Sequence, residues 1–402
     1  MRIILPVRSF SQTRPSCPSR SFRKPDATIY FLRRAYSAKT SSSNFSYRIS
    51  ASFSAKQNPL DFTRNLYFHD PVPGSSSVAP GTTSLSAQKR KQKRYKSGQD
   101  AFFVSTVPEN SSIAFGVLDG VGGWTESGID PADFSHGLSE RMGEYSSSYT
   151  TAVAGKLQRE KLLSPKPLDI LQYGYDAVQK DRTINAGGST ACIGVATKTG
   201  SLNVANLGDS GYAHLSPLRI CHLSTPQTHA FNTPYQLSKI PPWMKQQIRL
   251  FGNEPFAETP AKSETSTHNL SHGDVFVFAT DGLWDNLSGD EVLRIISGVM
   301  LRSGAWRVDT EGAVSVSDEG LAASILERAP GADELGEGVL DLSTMLAMAI
   351  LREAKECSLN KRRDGPFAKE AKKAYPMEDW GGGKPDDICA VVGVVVQEDS
   401  VS

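Results

Sequence analysis

Beyond residue 100 the chain carries two kinds of hydrophobic pattern. Short apolar runs of strand length recur: DAFFVSTV (100–107), SIAFGVLDG (112–120), STACIGVAT (189–197), SLNVANLGD (201–209), DVFVFATDG (274–282) and ICAVVGVVV (388–396). Between several of them lie longer stretches, 131–155, 169–181 and 342–358, whose apolar residues recur at helical spacing. The first two runs are joined by PENS, and ACIGVAT is joined to LNVANLGD by KTGS, so both pairs read as hairpins. Antiparallel pairing follows. An α+β sandwich, with sheets in the middle and helices outside, fits this order better than a doubly wound parallel sheet, which needs a helix after nearly every strand.

The remaining segments lack such a pattern. Residues 37–88 are rich in Ser, Pro, Gly and Thr and read as a disordered linker, with the folded domain spanning 89–397. The basic AQKRKQKRYKSG (87–98) reads as a solvated lead-in to the first core strand. Residues 229–252, rich in Pro, aromatics and amides, are expected to form a surface flap. The Gly-rich, acidic stretch 303–340 is expected to be an inserted loop.

Charge adds a targeting signal. Residues 1–36 hold eight basic side chains and one acid, Asp26, with many serines between, which is a mitochondrial transit-peptide composition. RRAYS (33–37) resembles a matrix processing site, with cleavage after Tyr36. Without 1–36 the counts become 36 basic and 42 acidic residues, a net charge of −6, which argues against nucleic acid as a partner. No apolar run approaches the roughly 18 residues of a membrane helix, so no integral membrane segment is expected. The cysteines show neither CxxC spacing nor pairs near His, so reduced thiols are expected rather than disulfides or zinc.

The candidate chemistry lies where acids meet strand ends. Asp119 and Asp281 terminate strands in VLDG and ATDG, whereas Asp100 and Asp387 begin them in DAFFV and DDICAVV. Antiparallel neighbours place the end of one strand beside the start of the next, so these carboxylates can gather on one edge. Crowded carboxylates raise one another's pKa, so cations are expected among them. All the ligands are hard oxygens, which selects Mn²⁺ or Mg²⁺ over zinc. Two such ions lower the pKa of a shared water and clamp a phosphoryl group for in-line attack, without a protein nucleophile. Small residues after the aspartates, Gly120, Gly122, Gly123 and Gly282, allow close approach of carbonyls and phosphate.

GQDAFFV, VLDGVGGW, GGSTACIGV, NVANLGDSG, FATDGLWDNLS and GGKPDDICAVV, in this order, resemble the type 2C, metal-dependent protein serine/threonine phosphatases over residues 95–397. HAFNTPYQLS together with DGVGGW is similar to that family's mitochondrial branch. The resemblance implies a four-layer αββα sandwich, two stacked antiparallel sheets flanked by helices, with a two-ion site at one end. It implies that Asp119 bridges both ions, that the Gly120 carbonyl binds one, and that Asp281 and Asp387 complete the catalytic set. Asp100 would hold metal-bound waters, and Asp209 with Asp281 would match a weaker third metal site. Asp386 precedes the matched acid, so the choice within the DD pair stays open.

Three positions depart from the family pattern. Val121 stands where many members have a His proposed as general acid, and Gln99 where many have Glu. The phosphate-binding Arg has its best counterpart in Arg94, with Lys93 and Lys96 close by. The partners implied are phosphoserine and phosphothreonine proteins of the mitochondrial matrix, among metabolic or ubiquinone-synthesis enzymes. The alternative is a catalytically silent scaffold that binds phosphoproteins. GDSG (208–211) is read as a turn rather than a protease nucleophile, GGGKP (381–385) lacks phosphate-loop spacing, and the scattered histidines form no ligand motif.

Overall fold

The computed structural model describes residues 44–78, 81, 85–108, 110–150, 164–250, 256–325 and 341–398. The presequence reading of 1–36, the start of the linker and residues 326–340 of the inserted loop lie outside these. One sheet has six strands in the order β2 (Leu66–Phe68), β1 (Asn44–Ser54), β17 (Ile388–Glu398), β14 (Val275–Ala279), β8 (Gly211–Ser216) and β9 (Arg219–Leu223). The second has five, in the order β13 (Glu264–Asn269), β7 (Ser201–Leu207), β6 (Ala191–Ala196), β4 (Ile113–Leu118) and β3 (Ala101–Thr106). Pairing within both is antiparallel, and the two expected hairpins form, with Ala101 opposite Leu118 and Ala191 opposite Leu207. Three two-stranded pieces add β5 (Gly187–Ser189) with β12 (Leu237–Lys239), β10 (Thr228–Ala230) with β11 (Thr233–Pro234), and β15 (Trp306–Val308) with β16 (Val314–Val316).

Helices cover both outer faces. α2 (Pro131–Ser147) and α3 (Pro167–Lys180) bury Phe134, Leu138, Met142 and Ile170 with the outer residues of the five-stranded sheet. α6 (Gly289–Arg302) and α8 (Leu342–Leu359) do the same on the six-stranded sheet through Val292, Ile296, Leu346 and Ile350. The remaining helices are α1 (Ala87–Lys93), α4 (Pro242–Leu250), α5 (Asp281–Trp284), α7 (Asp318–Ser324) and α9 (Pro366–Ala374). Between the sheets, Phe115 of β4 stacks on Phe276 of β14 at 4.9 Å and meets Phe278 edge-on at 4.9 Å. Truncating such a ring to alanine costs about 3–5 kcal/mol. The expected αββα sandwich is therefore the observed one.

Three expectations about segments need correction. Residues 44–54 and 66–68, assigned to the linker, are strands, so the sandwich begins well before residue 89. The reason is a strict alternation: Phe45, Tyr47, Ile49, Ala51 and Phe53 face the inter-sheet core, while serines fill the positions between most of them. Ser50 and Ser52 are buried too, and Ser50 Oγ meets Ser343 Oγ at 2.8 Å and Thr344 Oγ1 at 2.9 Å on α8. The basic lead-in is α1, begun by Ser86, whose hydroxyl accepts from the Lys89 amide, and its Arg90 is buried. In the stretch 303–340, residues 306–316 form a hairpin anchored by Trp306, whose Nε1 donates to the Gly273 carbonyl at 3.0 Å, and α7 follows. The flap keeps an exposed tip at β10 but returns to the body, where β12 pairs with β5 and Leu237 is fully buried.

Candidate active site

The antiparallel register does gather the acids. Asp119 follows β4 and Asp100 precedes β3, its hairpin partner. In the other sheet Asp281 follows β14 while Asp386 and Asp387 precede β17, and Ala279 lies opposite Ala390. Asp119, Asp209, Asp281, Asp386 and Asp387 line one cavity of about 320 Å³, together with Gly120, Gln99, Val121, Lys56, Lys384 and the flap residues Asn232 and Pro234. Asp209 sits in the turn between β7 and β8. Asp100 is buried behind the cavity.

Both DG glycines are required by close approach. A Cβ on Gly120 would lie 2.7 Å from the Gln99 carbonyl oxygen, and one on Gly282 would lie 1.9 Å from the Asp387 carbonyl oxygen. Any larger residue would force apart the strand ends that carry the acids.

The carboxylates repel one another across this space. Burial raises the Asp119 pKa well above the carboxylate range, and the neighbouring Asp281, Asp209 and Asp386 add to the effect while Lys384 opposes it. Asp100 is raised by burial first and then by Asp119, Asp387 and Asp281, although Thr280 Oγ1 donates to its Oδ2 at 2.7 Å. Asp209 is pushed up to about 7 by burial and Asp281. Asp100 Oδ1 and Asp209 Oδ1 are buried oxygens without a hydrogen-bond partner. Left unpaired, such atoms are costly. Orphaned oxygens, an all-oxygen donor set and mutually destabilised charges fit a hard divalent cation.

The DD pair divides its work. Asp387 Oδ1 accepts from the Lys56 amide at 2.5 Å and Oδ2 from the Gln99 amide at 2.7 Å. Each of its oxygens thus accepts one backbone amide. Asp386 turns to the basic side chains instead, 3.1 Å from Lys384 Nζ and 3.9 Å from Lys56 Nζ. Asp387 thus ties the Lys56 and Gln99 segments together while Asp386 faces the basic side chains, and both acids line the cavity.

Arg94 is placed elsewhere. Its Nη2 donates to Asp133 Oδ1 at 2.7 Å and its Nη1 lies 3.7 Å from Asp130, so its fork is engaged on α2 and outside the cavity lining. The cations that do line the cavity are Lys56 and Lys384, which sequence reading missed, as it did Asp285. Lys384 Nζ contacts Asp281 Oδ2 at 2.6 Å, Asp285 Oδ2 at 2.6 Å and Asp386 Oδ2 at 3.1 Å. Burial disfavours that ammonium, but the carboxylates outweigh it and hold it protonated. Among the described residues no three His, Cys, Asp or Glu side chains close on a single point, and Lys384 contacts both Asp281 and Asp386. The signal for Lys384 was available in GGGKPDD, where the lysine sits two residues before the acid pair. Lys56 had no comparable signal, since its segment read as linker.

Comparison with known proteins bears on the family and the fold. The chain is 31% identical over 323 residues to the protein phosphatase PTC7 homolog fig of Drosophila ananassae, covering 79% of this chain and 80% of that protein. It is 30% identical over 299 residues to the mitochondrial protein phosphatase 2C homolog 7 of Saccharomyces cerevisiae, covering 74% of each. Its fold matches the X-ray structure of the photosystem II phosphatase PBCP with a TM-score of 0.50 and 23% identity, over 77% of this chain and 95% of that one. No family model matches the chain.

Proposed function

The chain belongs to the type 2C family of protein serine/threonine phosphatases, and from that premise we propose that it hydrolyses phosphoserine and phosphothreonine with two divalent ions held by the acid cavity. The observation that carries the two-ion reading is the set of carboxylates converging on that cavity with orphaned oxygens and too few cations. Asp119, Asp281 and Asp386, with the Gly120 carbonyl, would hold the ions, and Asp100 and Asp209 would orient the water around them. Bound Mn²⁺ or Mg²⁺ supplies the charge that lowers the pKa of water and neutralises phosphoryl oxygens. Asp387 positions the Lys56 and Gln99 backbones through the two bonds described above. Lys56, with about half of its side chain exposed at the cavity rim, takes the phosphate-binding role expected of Arg94. No imidazole lines the cavity, so the leaving alkoxide draws its proton from solvent rather than from a residue at Val121.

The protein is mitochondrial, and we place it in the matrix on the strength of the basic, serine-rich segment 1–36 and its processing-site motif. Its substrates are then matrix phosphoproteins, with metabolic and ubiquinone-synthesis enzymes as the first to examine. The silent-scaffold alternative has no supporting observation in this site. Purified protein should dephosphorylate a phosphoserine peptide with added Mn²⁺ and stop on addition of EDTA. Turnover that persists in EDTA would sink the two-ion reading.

A further inference from the structure

The Asp281 side of the cavity already holds a cation supplied by the chain itself. An ammonium has three donors and no acceptor, and Lys384 Nζ meets three carboxylates, those of Asp281, Asp285 and Asp386, within 3.1 Å. Its capacity is therefore filled. The seat is built rather than reached by a loose surface chain. The Lys384 amide donates to Asn286 Oδ1 at 2.9 Å, and Asn286 Nδ2 donates back to the Lys384 carbonyl at 2.9 Å. Asn286 is fully buried and also donates to the Gly282 carbonyl at 2.9 Å, tying Lys384 to the DG turn that carries Asp281. The ammonium lies 4.9 Å from the centre of the Phe367 ring, a cation–π contact, and the Phe367 amide donates to the Asp285 carbonyl at 3.0 Å.

We propose that the Lys384 ammonium stands in the place of a third divalent ion, so that this chain takes two ions where the family resemblance implies two and a weaker third. The resemblance puts that third position at Asp281 and Asp209; Lys384 holds Asp281 directly, and Asp209 feels the Lys384 charge. A divalent ion entering there would meet an ammonium at contact distance and would have to break two charge-assisted hydrogen bonds, to Asp281 and Asp285, and the ion pair with Asp386. Asp281 spends Oδ2 on Lys384, which leaves Oδ1 as its oxygen for the two-ion site. The inference rests on the two-ion reading above.

Counting bound ions tests it without reference to turnover. The full chain, stripped with EDTA and dialysed against increasing Mn²⁺ at pH 8, should saturate at two ions per chain by metal analysis. Lys384→Met, which keeps the length of the stem over Phe367, should add a third, weaker class, and Lys384→Arg should stay at two. In EDTA the methionine variant should melt below the wild type, and Mn²⁺ should raise its melting temperature by more than it raises the wild type's. Three ions in the wild type overturn the proposal whatever the variants do, as do two ions in Lys384→Met with a melting shift equal to the wild type's. Fewer than two ions in the wild type would instead remove the two-ion reading on which the proposal stands.

Discussion

At the corner between α1 and α2, Asp130, Asp133, Glu140 and Asp181 face Arg90, Lys91, Arg94 and Arg141; across the molecule's acid cavity, Asp119, Asp209, Asp281, Asp386 and Asp387 face only Lys56 and Lys384. At the corner each acid finds a cation. Burial would raise Asp181, but the Thr183 hydroxyl and amide, Arg141 and Arg90 hold it well below the carboxylate range. At the cavity Asp119 and Asp209 shift upward, through burial first and then through their neighbouring carboxylates. The same residue type serves closed electrostatics in one region and open electrostatics in the other, and only the open arrangement has capacity left for a ligand. Arg94 belongs to the first region, which is why a phosphate-binding role fits it poorly.

The largest effect should come from exchanging one acid in each region. Asp119→Asn is expected to lower kcat/KM on a phosphopeptide by about a thousandfold or more, in line with loss of a metal-dependent step. In EDTA it should melt no lower than the wild type, because a repelled carboxylate has been removed. Asp181→Ala should do the reverse. With Arg141 losing its partner and Arg90 left to Glu140 and the Thr183 hydroxyl, stability should fall by about 1–3 kcal/mol, while turnover per folded molecule stays within a few-fold. Equal loss of stability in both variants, read by denaturant unfolding, would erase the distinction.

The DD pair offers a second contrast inside the cavity. Asp386→Asn should cost about a hundredfold in turnover and weaken Mn²⁺ binding. Asp387→Asn, which can still accept at one oxygen but loses two charge-assisted bonds to backbone, should cost about 1–3 kcal/mol of stability and affect turnover less. The opposite ranking would return the ligand role to Asp387.

How much of this was legible follows from the same physics. The strand-end aspartates could be read because antiparallel register forces strand ends together whatever the intervening loops do. Two adjacent carboxylates look alike in sequence, and only the folded chain tells them apart: the Lys56 and Gln99 amides bond to Asp387, while Lys384 contacts Asp386. β1 was overlooked although Phe45, Tyr47, Ile49, Ala51 and Phe53 alternate strictly, because its other face is mostly serine, with Ser50 meeting Ser343 and Thr344 of α8. Lys56 follows that strand directly, so missing the strand meant missing the cation. α6 went unassigned although it opens with a full capping box, in which Ser288 accepts from the Glu291 amide and Glu291 from the Ser288 amide.

A third contrast separates the two candidate phosphate cations. Lys56→Ala should raise KM for a phosphopeptide about tenfold with a smaller change in kcat, since it removes one charge at the cavity rim. Arg94→Ala should leave both constants within about twofold and instead lower the melting temperature, because Asp130 and Asp133 lose a partner. Steady-state kinetics on the two variants decides between them.

The smallest effect concerns histidine, at a place where neither acids nor metals are involved. Burial lowers His69 to a pKa of about 4, and its Nε2 lies 2.8 Å from Thr106 Oγ1. In the unfolded chain the same imidazole titrates near its ordinary value of about 6.5. The folded pKa is the depressed one, so the folded state binds fewer protons, and its stability is fully present above pH 6.5 and lost as pH falls toward 4. The shift sets a ceiling of about 3 kcal/mol for this one group. His136, lowered to about 4 by burial and by Arg94, acts in the same direction. The cavity acids act in the opposite one. Their folded pKa values are raised, so protonation on acidification relieves repulsion and favours the folded state. In EDTA the two trends should partly cancel between pH 7 and 5, and unfolding free energy should vary little. Asp119→Asn should unmask the histidine trend as a steeper fall with acid, whereas His69→Gln should shallow it by about one proton's worth of slope. Parallel pH profiles for these two variants would mean that the two regions are not electrostatically distinct.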